Sequence, residues 1–352
     1  MDSGTLISNS PGSFRLKLNS LNLKSLNISE NNRSSLLKYK ENFNFYISNY
    51  SQFLQKALEK LNVPADKSVF VDYGGGCGIL SAMAKEAGFK TVIYNDINRK
   101  STNDAEIISK ELGIYIDHFI SGDADDFVTQ MELLNISPDL ICSFDVVEHI
   151  YDLEKWILTM NRLSNPQFVL MTGANPKNPI ISCRLKKQQL ISENLGCENN
   201  IRCNEKYLNT SFLEERETIL KNAFPQLKEA EVRFLAQDTR GLKKKDIEQL
   251  AQEYLDKGEI NYIMDHPTNT CDPYTGSWTE RLLDLKNLEA FCIRNNMEIE
   301  ITNSYYCYSG KRIVDLVKYF VNQMIKVLGP HSLFLSPGVT IAIKKTGGEQ
   351  TL

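Results

Sequence analysis

Two acidic residues and a cluster of glycines occur at spacings that suit the binding of a nucleotide. Glycines at positions 74, 75, 76 and 78 follow Asp72, and a second acid, Asp96, ends the next apolar run. Glycines let the backbone approach a ligand closely, and a helix that begins among them offers unpaired N–H groups. An acid roughly 20 residues further on is placed to accept hydrogen bonds from ribose hydroxyls. These residues therefore predict a site for a ribose-bearing ligand.

The elements around the glycines have the order strand, turn, helix, strand. Apolar runs at 68–72 and 90–95 enclose a helical pattern at 78–87, which is the pattern of a βαβ nucleotide-binding unit. The dinucleotide fingerprint GxGxxG would require glycine in place of Ile79, or glycine or alanine in place of Ser81. It is cleanly met in neither register, which disfavours NAD and FAD. The loop instead matches acid-x-G-x-G-x-G.

The alternation of strands and helices continues along the chain. Further strands are predicted at 115–120, 139–143, 167–172, 298–301 and 339–344, with helices near 101–112, 124–135, 150–163, 279–295 and 311–328. This pattern predicts an α/β fold, a doubly wound and mostly parallel seven-stranded Rossmann-like sheet, in which ligands lie beyond the carboxyl ends of the strands. We expect the last strand to close one edge of the sheet.

The remaining segments divide the chain by composition. Residues 1–35 predict a loose N-terminal arm or a capping segment, and 36–64 a helical cap of one long or two short helices. The cofactor-binding core is predicted at 65–175. A polar helical insertion follows at 176–278, the core resumes at 279–345, and 346–352 form a tail.

Composition excludes several classes of protein. The chain has 352 residues, 24% of them charged, and a formal net charge of −4, so nothing marks it as a binder of nucleic acid or membranes. No apolar run approaches the roughly 20 residues of a membrane span, and the N-terminus lacks a signal-peptide pattern. The eight cysteines are scattered without a CxxC pair, so we expect a reduced, cytoplasmic protein. Their spacing disfavours a zinc site built from Cys183, Cys197, Cys203 and Cys271.

The glycine loop resembles motif I of the class I S-adenosylmethionine-dependent methyltransferases. Asp96 is similar to the ribose-binding acid of that family, and Gly122–Asp123–Ala124 to its adenine-contacting position. Residues 144–150, FDVVEHI, resemble the D-V-x-E-H segment of ubiquinone-biosynthesis-type and related small-molecule methyltransferases. Residues 171–176, MTGANP, resemble their next post-strand loop with Asn and Pro reversed. The resemblance covers about residues 65–176.

The resemblance implies S-adenosylmethionine as the methyl donor and S-adenosylhomocysteine as the product. The implied cofactor-binding residues all lie at strand ends: Asp72, Gly74, Gly76, Gly78, Asp96, Ile97, Asp123, Ala124 and Asp145. For each acid, the alternative interpretation is a turn or a helix cap. The resemblance also implies a methyltransferase fold in which the helical insertion follows the fifth strand and selects the methyl acceptor.

His149 and Glu148 are the main catalytic candidates. With Asp145 they stand at i, i+3 and i+4, on one face if the turn is helical. Histidine is suited to act as a general base on a hydroxyl or a protonated amine. The same three residues also resemble part of the metal site of small-RNA 2′-O-methyltransferases. General base, metal ligand and purely structural histidine stay open, and a second histidine, for which His266 is the candidate, would favour the metal.

The segment 265–281, DHPTNTCDPYTGSWTER, is the predicted acceptor-binding loop. Tyr274 and Trp278 could stack on a flat or sugar-like face, and Arg281, together with Asp265, His266 and Asp272, could bond hydroxyls or an acid. The alternative is a structured turn with Trp278 as its core plug. The lysine clusters at 186–187 and 243–245 are typical of a solvated face, and no basic, aromatic surface for RNA is evident.

Together these residues predict a methyltransferase that acts on a small molecule, sugar or glycan intermediate, with oxygen as the leading acceptor atom. Nitrogen transfer is the nearest alternative, although no N-P-P-[FY] tetrapeptide follows the fourth strand. A nicotinamide-dependent oxidoreductase and an inactive cofactor-binding scaffold are the alternatives from other classes. No nucleic-acid, membrane or resident metal partner is predicted.

Overall fold

The computed structural model describes residues 14–196, 210–264 and 266–346, which form two compact units. Unit 1 comprises Met1–Val147, Glu154–Gly173 and Lys286–Leu352 within the described ranges, and unit 2 comprises Glu148–Leu153 and Ala174–Leu285. Unit 2 thus begins and ends a few residues outside the predicted insertion and takes in the turn that holds His149. The first part of the predicted arm, most of the tail, Asp265, Cys197 and Cys203 lie outside the described residues.

Unit 1 is built on a seven-stranded sheet with the order β3-β2-β1-β4-β5-β7-β6. Strands β1 to β5 pair in parallel, whereas β7 runs antiparallel to both β5 and β6. The predicted α/β fold, with a mostly parallel seven-stranded Rossmann-like sheet, is confirmed. The strands are β1 Val69–Tyr73, β2 Thr91–Asp96, β3 His118–Ser121, β4 Leu140–Phe144, β5 Gln167–Thr172, β6 Met297–Asn303 and β7 Val339–Lys345.

The last strand does not close an edge of the sheet, contrary to expectation. Strand β7 lies between β5 and β6, so the edge strand is β6. The burial of the two strands agrees with this, because Val339, Ile341 and Ile343 of β7 are buried while β6 alternates with exposed glutamates. The sequence pattern gives the order of the strands along the chain, but it does not give their order across the sheet.

Helices connect and cover these strands. Those of the first part of the chain are α1 (residues 14–20), α2 Glu30–Glu41, α3 Phe43–Lys60, α4 Ile79–Glu86, α5 Arg99–Glu111, α6 Ala124–Leu134 and α7 Leu153–Met160. Helices α8 Pro179–Asn194, α9 Phe212–Ala223, α10 Glu229–Asp238 and α11 Lys244–Lys257 belong to unit 2, and α12 Leu285–Arg294 and α13 Arg312–Leu328 complete the set. Among the described residues, no helix is both long and apolar enough to cross a bilayer.

Residues 14–35 are packed, which corrects the prediction of a loose arm over this range. Phe14 and Leu18 are fully buried and belong to the same apolar core as Phe70 of β1. The polar side is satisfied as well, because Asp104 accepts hydrogen bonds from the Ser29 hydroxyl and from the side-chain amide of Asn32. The apolar residues here are widely spaced among Ser and Asn. They therefore show no helical periodicity from which their burial could be predicted.

The predicted helical cap consists of two helices that break at Asn42. Helix α3 packs its aromatic residues against the end of β4. The rings of Tyr50 and Phe53 lie 4.7 and 5.4 Å from that of Phe144, the last residue of the strand. The cap thereby supports a strand end that leads into the candidate site.

Unit 2 has an apolar core of its own, with Leu220, Leu235 and Ile247 at its centre. A buried ion pair joins Arg216 to Glu193. The guanidinium also donates to the Ala236 carbonyl at 2.7 Å, and Glu193 accepts from the Thr270 hydroxyl at 2.7 Å. Hydrogen bonds to both partners offset the cost of burying the two charges, so the pair fixes helices α8, α9 and α10 around the start of the 270–281 loop.

Candidate functional site

The carboxyl ends of β1, β2 and β4 are neighbours, because these strands are adjacent and parallel. The glycine loop leaves β1 at this edge and leads into α4. Gly74 and Gly75 both donate their N–H groups to the Asn95 carbonyl of β2 at 2.9 Å. The loop is therefore held against β2 by its backbone.

Asp72 is a buried residue of β1, the strand that leads into the glycine loop. Its carboxylate accepts a hydrogen bond of 2.6 Å from the hydroxyl of Ser81, in the first turn of α4. Burial raises the pKa of Asp72 to about 7, although the hydrogen bonds from Ser81 oppose the shift. This hydrogen bond joins β1 to the first turn of the helix that follows the glycine loop.

The glycines of the loop differ in what a side chain would meet. A Cβ on Gly74 would lie 2.5 Å from a methyl of Val146, and one on Gly75 would lie 2.6 Å from the Tyr94 ring. A Cβ on Gly76 would meet nothing within 4 Å. Gly76 also has a φ of +54°, a conformation that glycine adopts freely. The first two glycines are thus required by packing, whereas Gly76 borders open space.

Asp96 lies beside that space, at the end of β2. Its two carboxylate oxygens accept from the N–H groups of Gly76 at 3.1 Å and Asn98 at 2.8 Å. Burial raises its pKa, and the two backbone hydrogen bonds oppose this. The following residue, Ile97, is 75% exposed. Open space at Gly76, a positioned carboxylate and an exposed apolar side chain fit a nucleoside-containing cofactor.

Asp123 caps helix α6. A helix cap was the alternative to a cofactor contact at this position. Its Oδ1 accepts from the N–H groups of Asp125 and Asp126 at 3.0 and 3.1 Å, and the Asp126 carboxylate accepts from the Asp123 N–H. This reciprocal capping box begins α6 at Ala124. The adenine contact stays a prediction for Asp123 and Ala124.

Asp145 joins the ends of β4 and β5. Its N–H donates to the Met171 carbonyl at 2.8 Å, and its carboxylate accepts from the Gly173 N–H at 2.8 Å. The residue is exposed and has a φ of +54°, an uncommon conformation for a residue with a Cβ. The strain is consistent with a side chain held in place for function.

Unit 2 brings Glu148 and His149 together with Glu280. Each of these residues offers a ligand atom, and the three atoms lie within 4.8 Å of one another. Backbone hydrogen bonds fix the arrangement, since the N–H groups of Trp278 and Arg281 donate to the carbonyls of His149 and Glu148 at 3.3 and 3.2 Å. Sequence reasoning did not find Glu280, although the acid is part of the 265–281 loop that it singled out.

The ring of His149 has a defined orientation. Its Nδ1 lies 2.8 Å from the carbonyl oxygen of Trp278. A carbonyl oxygen only accepts, so Nδ1 carries the proton and Nε2 of the neutral ring has the lone pair. His149 can therefore accept a proton, or bind a cation, through Nε2.

The residues of the predicted acceptor-binding loop have different environments. Trp278 is buried, its ring stacks near that of Tyr151 with centroids 6.0 Å apart, and its Nε1 donates to the Tyr151 carbonyl at 3.0 Å. The Arg281 guanidinium lies 4.6 Å from the centre of the Trp278 ring. These contacts fit the alternative of a structured turn with Trp278 as its plug. Tyr274, in contrast, is partly exposed.

His266 is held within its own turn. Its Nδ1 lies 3.2 Å from the Thr268 N–H, and burial lowers its pKa, with Lys186 and Arg240 adding to the shift. Within the ranges that the structure describes, Glu148, His149 and Glu280 are the group able to hold a metal, and His266 is outside it. The second ligand that would favour a metal is thus supplied by a carboxylate rather than by the predicted histidine.

Residues 42–190 match the family model described as "Methyltransferase domain". This segment is therefore similar to that domain. It includes every predicted cofactor-binding residue. The match does not distinguish the ubiquinone-type branch from others, which leaves that finer resemblance a prediction. No curated protein matches the sequence.

Solved structures that the chain is similar to include methyltransferases. A ribosomal protein methylase from Lactobacillus delbrueckii subsp. bulgaricus is 22% identical over 35% of this chain and 58% of its own, with a TM-score of 0.27. A SAM-dependent methyltransferase from Agrobacterium tumefaciens is 18% identical over 36% of this chain and 44% of its own, with a TM-score of 0.28. The YcgJ protein from Bacillus subtilis is 12% identical over 84% and 99%, with a TM-score of 0.41. The chain thus spans about half the length of the first two.

Proposed function

We propose that the protein is a S-adenosylmethionine-dependent methyltransferase that methylates an oxygen atom of a small molecule, sugar or glycan intermediate. The observation that supports the donor half is the open space at Gly76 beside the carboxylate of Asp96. Because both residues lie at the carboxyl ends of adjacent parallel strands, they occupy the edge where such sheets bind nucleotides.

The residues at this edge would divide the cofactor between them. Asp96 would accept from the ribose hydroxyls, and the backbone at Gly74 and Gly76 would lie along the methionine portion. Ile97, Asp123 and Ala124 would surround the adenine. When bound, the cofactor supplies a methyl group on a positively charged sulfur, so the protein contributes mainly alignment of the reacting atoms.

His149 is the proposed general base. The cofactor would supply the methyl group, and Nε2 of His149 would take the proton that the acceptor hydroxyl loses. The proposal rests on the orientation of the ring, which leaves Nε2 as the accepting nitrogen, and on its position four residues after Asp145. A base of this kind typically contributes 10²–10⁴-fold to the rate.

A metal-assisted version of the same reaction has an observation in its favour. Two carboxylates and an imidazole within 4.8 Å form a donor set that suits Mg²⁺ or Mn²⁺. Treatment with EDTA, followed by addition of either ion, separates the two versions. Loss and recovery of turnover would identify a metal enzyme, whereas unchanged turnover would leave His149 as a base.

Binding and product measurements test the whole proposal. Calorimetry is expected to show micromolar binding of S-adenosylmethionine and S-adenosylhomocysteine, and none of NAD. Binding of NAD instead would support the oxidoreductase alternative, and heat with neither ligand would exclude both. A screen of sugars and small metabolites for products heavier by one methylene then identifies the acceptor and distinguishes oxygen from nitrogen. Cofactor binding without any product would favour the scaffold alternative.

A further inference from the structure

Helix α13 packs on unit 1 through its polar side. Asn322 is buried, and its side-chain amide donates to the Tyr306 carbonyl and accepts from the Tyr306 N–H, each at 2.9 Å. Lys318, one turn earlier, donates to the Cys307 carbonyl at 2.8 Å. Ile325 is the one fully buried apolar residue on this side. The helix is therefore anchored by hydrogen bonds to the segment that precedes it.

The apolar side of α13 is exposed. Residues at intervals of three and four form a continuous stripe opposite Asn322, and each is more than 50% exposed: Ile313, Leu316, Val317, Phe320, Met324 and Val327. Tyr308 before the helix and Phe334 after it are about half exposed as well. An amphipathic helix in a soluble domain normally directs this stripe inward. Here its direction is reversed, and an apolar patch of this kind marks an interaction surface.

Exposed basic residues lie at the two ends of the helix. Lys311 and Arg312 are exposed at the beginning of the helix and Lys326 near its end. The carboxylate of its single acid, Asp315, accepts from the N–H groups of Ser309 and Gly310, just before the helix, at 2.7 Å, and lies 3.7 Å from Lys318. The exposed surface of α13 is thus positively charged, although the whole chain has a net charge of −4.

The charges decide which partner suits the stripe. Two copies that paired through α13 would bring like charges together at the helix ends, in either orientation. An anionic lipid surface attracts the same lysines and arginine and also takes up the apolar stripe, which is the pattern of a helix that lies in the plane of a bilayer. We propose that α13 is an interfacial anchor that binds the protein to anionic membrane surfaces without crossing them. The prediction of no membrane partner considered only spanning segments and total charge.

Vesicle flotation of the full-length protein tests the proposal. We expect binding to vesicles of phosphatidylcholine with phosphatidylglycerol, and much weaker binding to phosphatidylcholine alone. Leu316→Glu or Phe320→Glu is expected to reduce partitioning by about tenfold or more, since each removes a large apolar side chain that would enter the bilayer. Arg312→Glu and Lys326→Glu are each expected to cost about fivefold or more, an effect that high salt reduces.

Leu133→Glu is the matched control, because Leu133 is 75% exposed on helix α6 and lies outside the stripe. It should leave vesicle binding unchanged, and cofactor affinity should be the same in all variants. Equal partitioning of the α13 variants and Leu133→Glu would overturn the proposal. So would a concentration-dependent dimer that Phe320→Glu dissociates, which would identify a second copy as the partner. Absence of both vesicle binding and dimerisation would show that the stripe is covered within the chain. None of these outcomes depends on methyl transfer.

Discussion

Gly76 provides the sharpest test of the cofactor site. Alanine there is expected to lower S-adenosylmethionine affinity at least tenfold, because its methyl would occupy the space proposed for the cofactor. Its φ of +54° should also cost about 1–2 kcal/mol of stability. Gly113→Ala is the control, since Gly113 has a φ of +65° and equally open surroundings. Calorimetry and urea unfolding compare the two, and equal affinities would place the cofactor elsewhere.

Asp72 gives the stability of the fold a dependence on pH. Its pKa is about 7 in the folded state and about 3.8 when unfolded, so between these values the folded state binds the additional proton. Its contribution to stability is thus present below pH 4 and is lost as pH rises through 7. Asp72→Asn retains the acceptor for Ser81 and should be about 1–4 kcal/mol more stable than the wild type at pH 8, with no gain at pH 4. Urea titrations at both pH values check this, and an equal gain at both would argue against a protonated Asp72.

His149 can be tested as a base separately from its role as an anchor. His149→Asn retains a donor for the Trp278 carbonyl but has no basic nitrogen, whereas His149→Ala removes both. If His149 is the base, both variants should lose turnover by about 100-fold or more while cofactor affinity is unchanged. Single-turnover kinetics with the identified acceptor measures this. Activity retained in His149→Asn alone would assign the histidine a purely structural role.

At the scale of elements, substitutions at the start of helix α6 can separate the two roles considered for Asp123, which are capping the helix and contacting the adenine. Asp123→Ser should preserve stability, because serine caps a helix nearly as well as aspartate, whereas Asp123→Ala should cost about 1 kcal/mol. If Asp123 also contacts the adenine, the serine variant should still bind S-adenosylmethionine about tenfold more weakly. Thermal unfolding and calorimetry provide the two readouts. Full affinity in Asp123→Ser would leave Asp123 as a helix cap only.

The elements that were predictable from sequence are those whose signal is local. Each of the five parallel strands is a short apolar run, and the acids and glycines that follow them are read from neighbouring residues. The contact of Glu280 with His149 was not predictable, because a loop about 130 residues away brings it there. The apolar stripe of α13 was visible as periodicity, but periodicity does not say which side of a helix meets the protein. The packing of residues 14–35 was not predicted for the opposite reason, because their buried leucines have no regular spacing.

At the scale of the whole molecule, each unit has an apolar core of its own, around Phe70 in unit 1 and around Leu220 in unit 2. The proposed cofactor residues lie in unit 1. A ligand at 100 times its dissociation constant stabilises the unit that binds it by about 2.7 kcal/mol. Saturating S-adenosylmethionine should therefore slow amide exchange most in the loop 74–78 and in β1 and β2, and much less in α9 and α10. Hydrogen–deuterium exchange with mass spectrometry measures both regions in one experiment, with NAD as the control ligand. Equal protection of α9 and β1 would mean that the two cores open as a single cooperative unit, and acceptor-loop variants would then also be expected to change cofactor affinity.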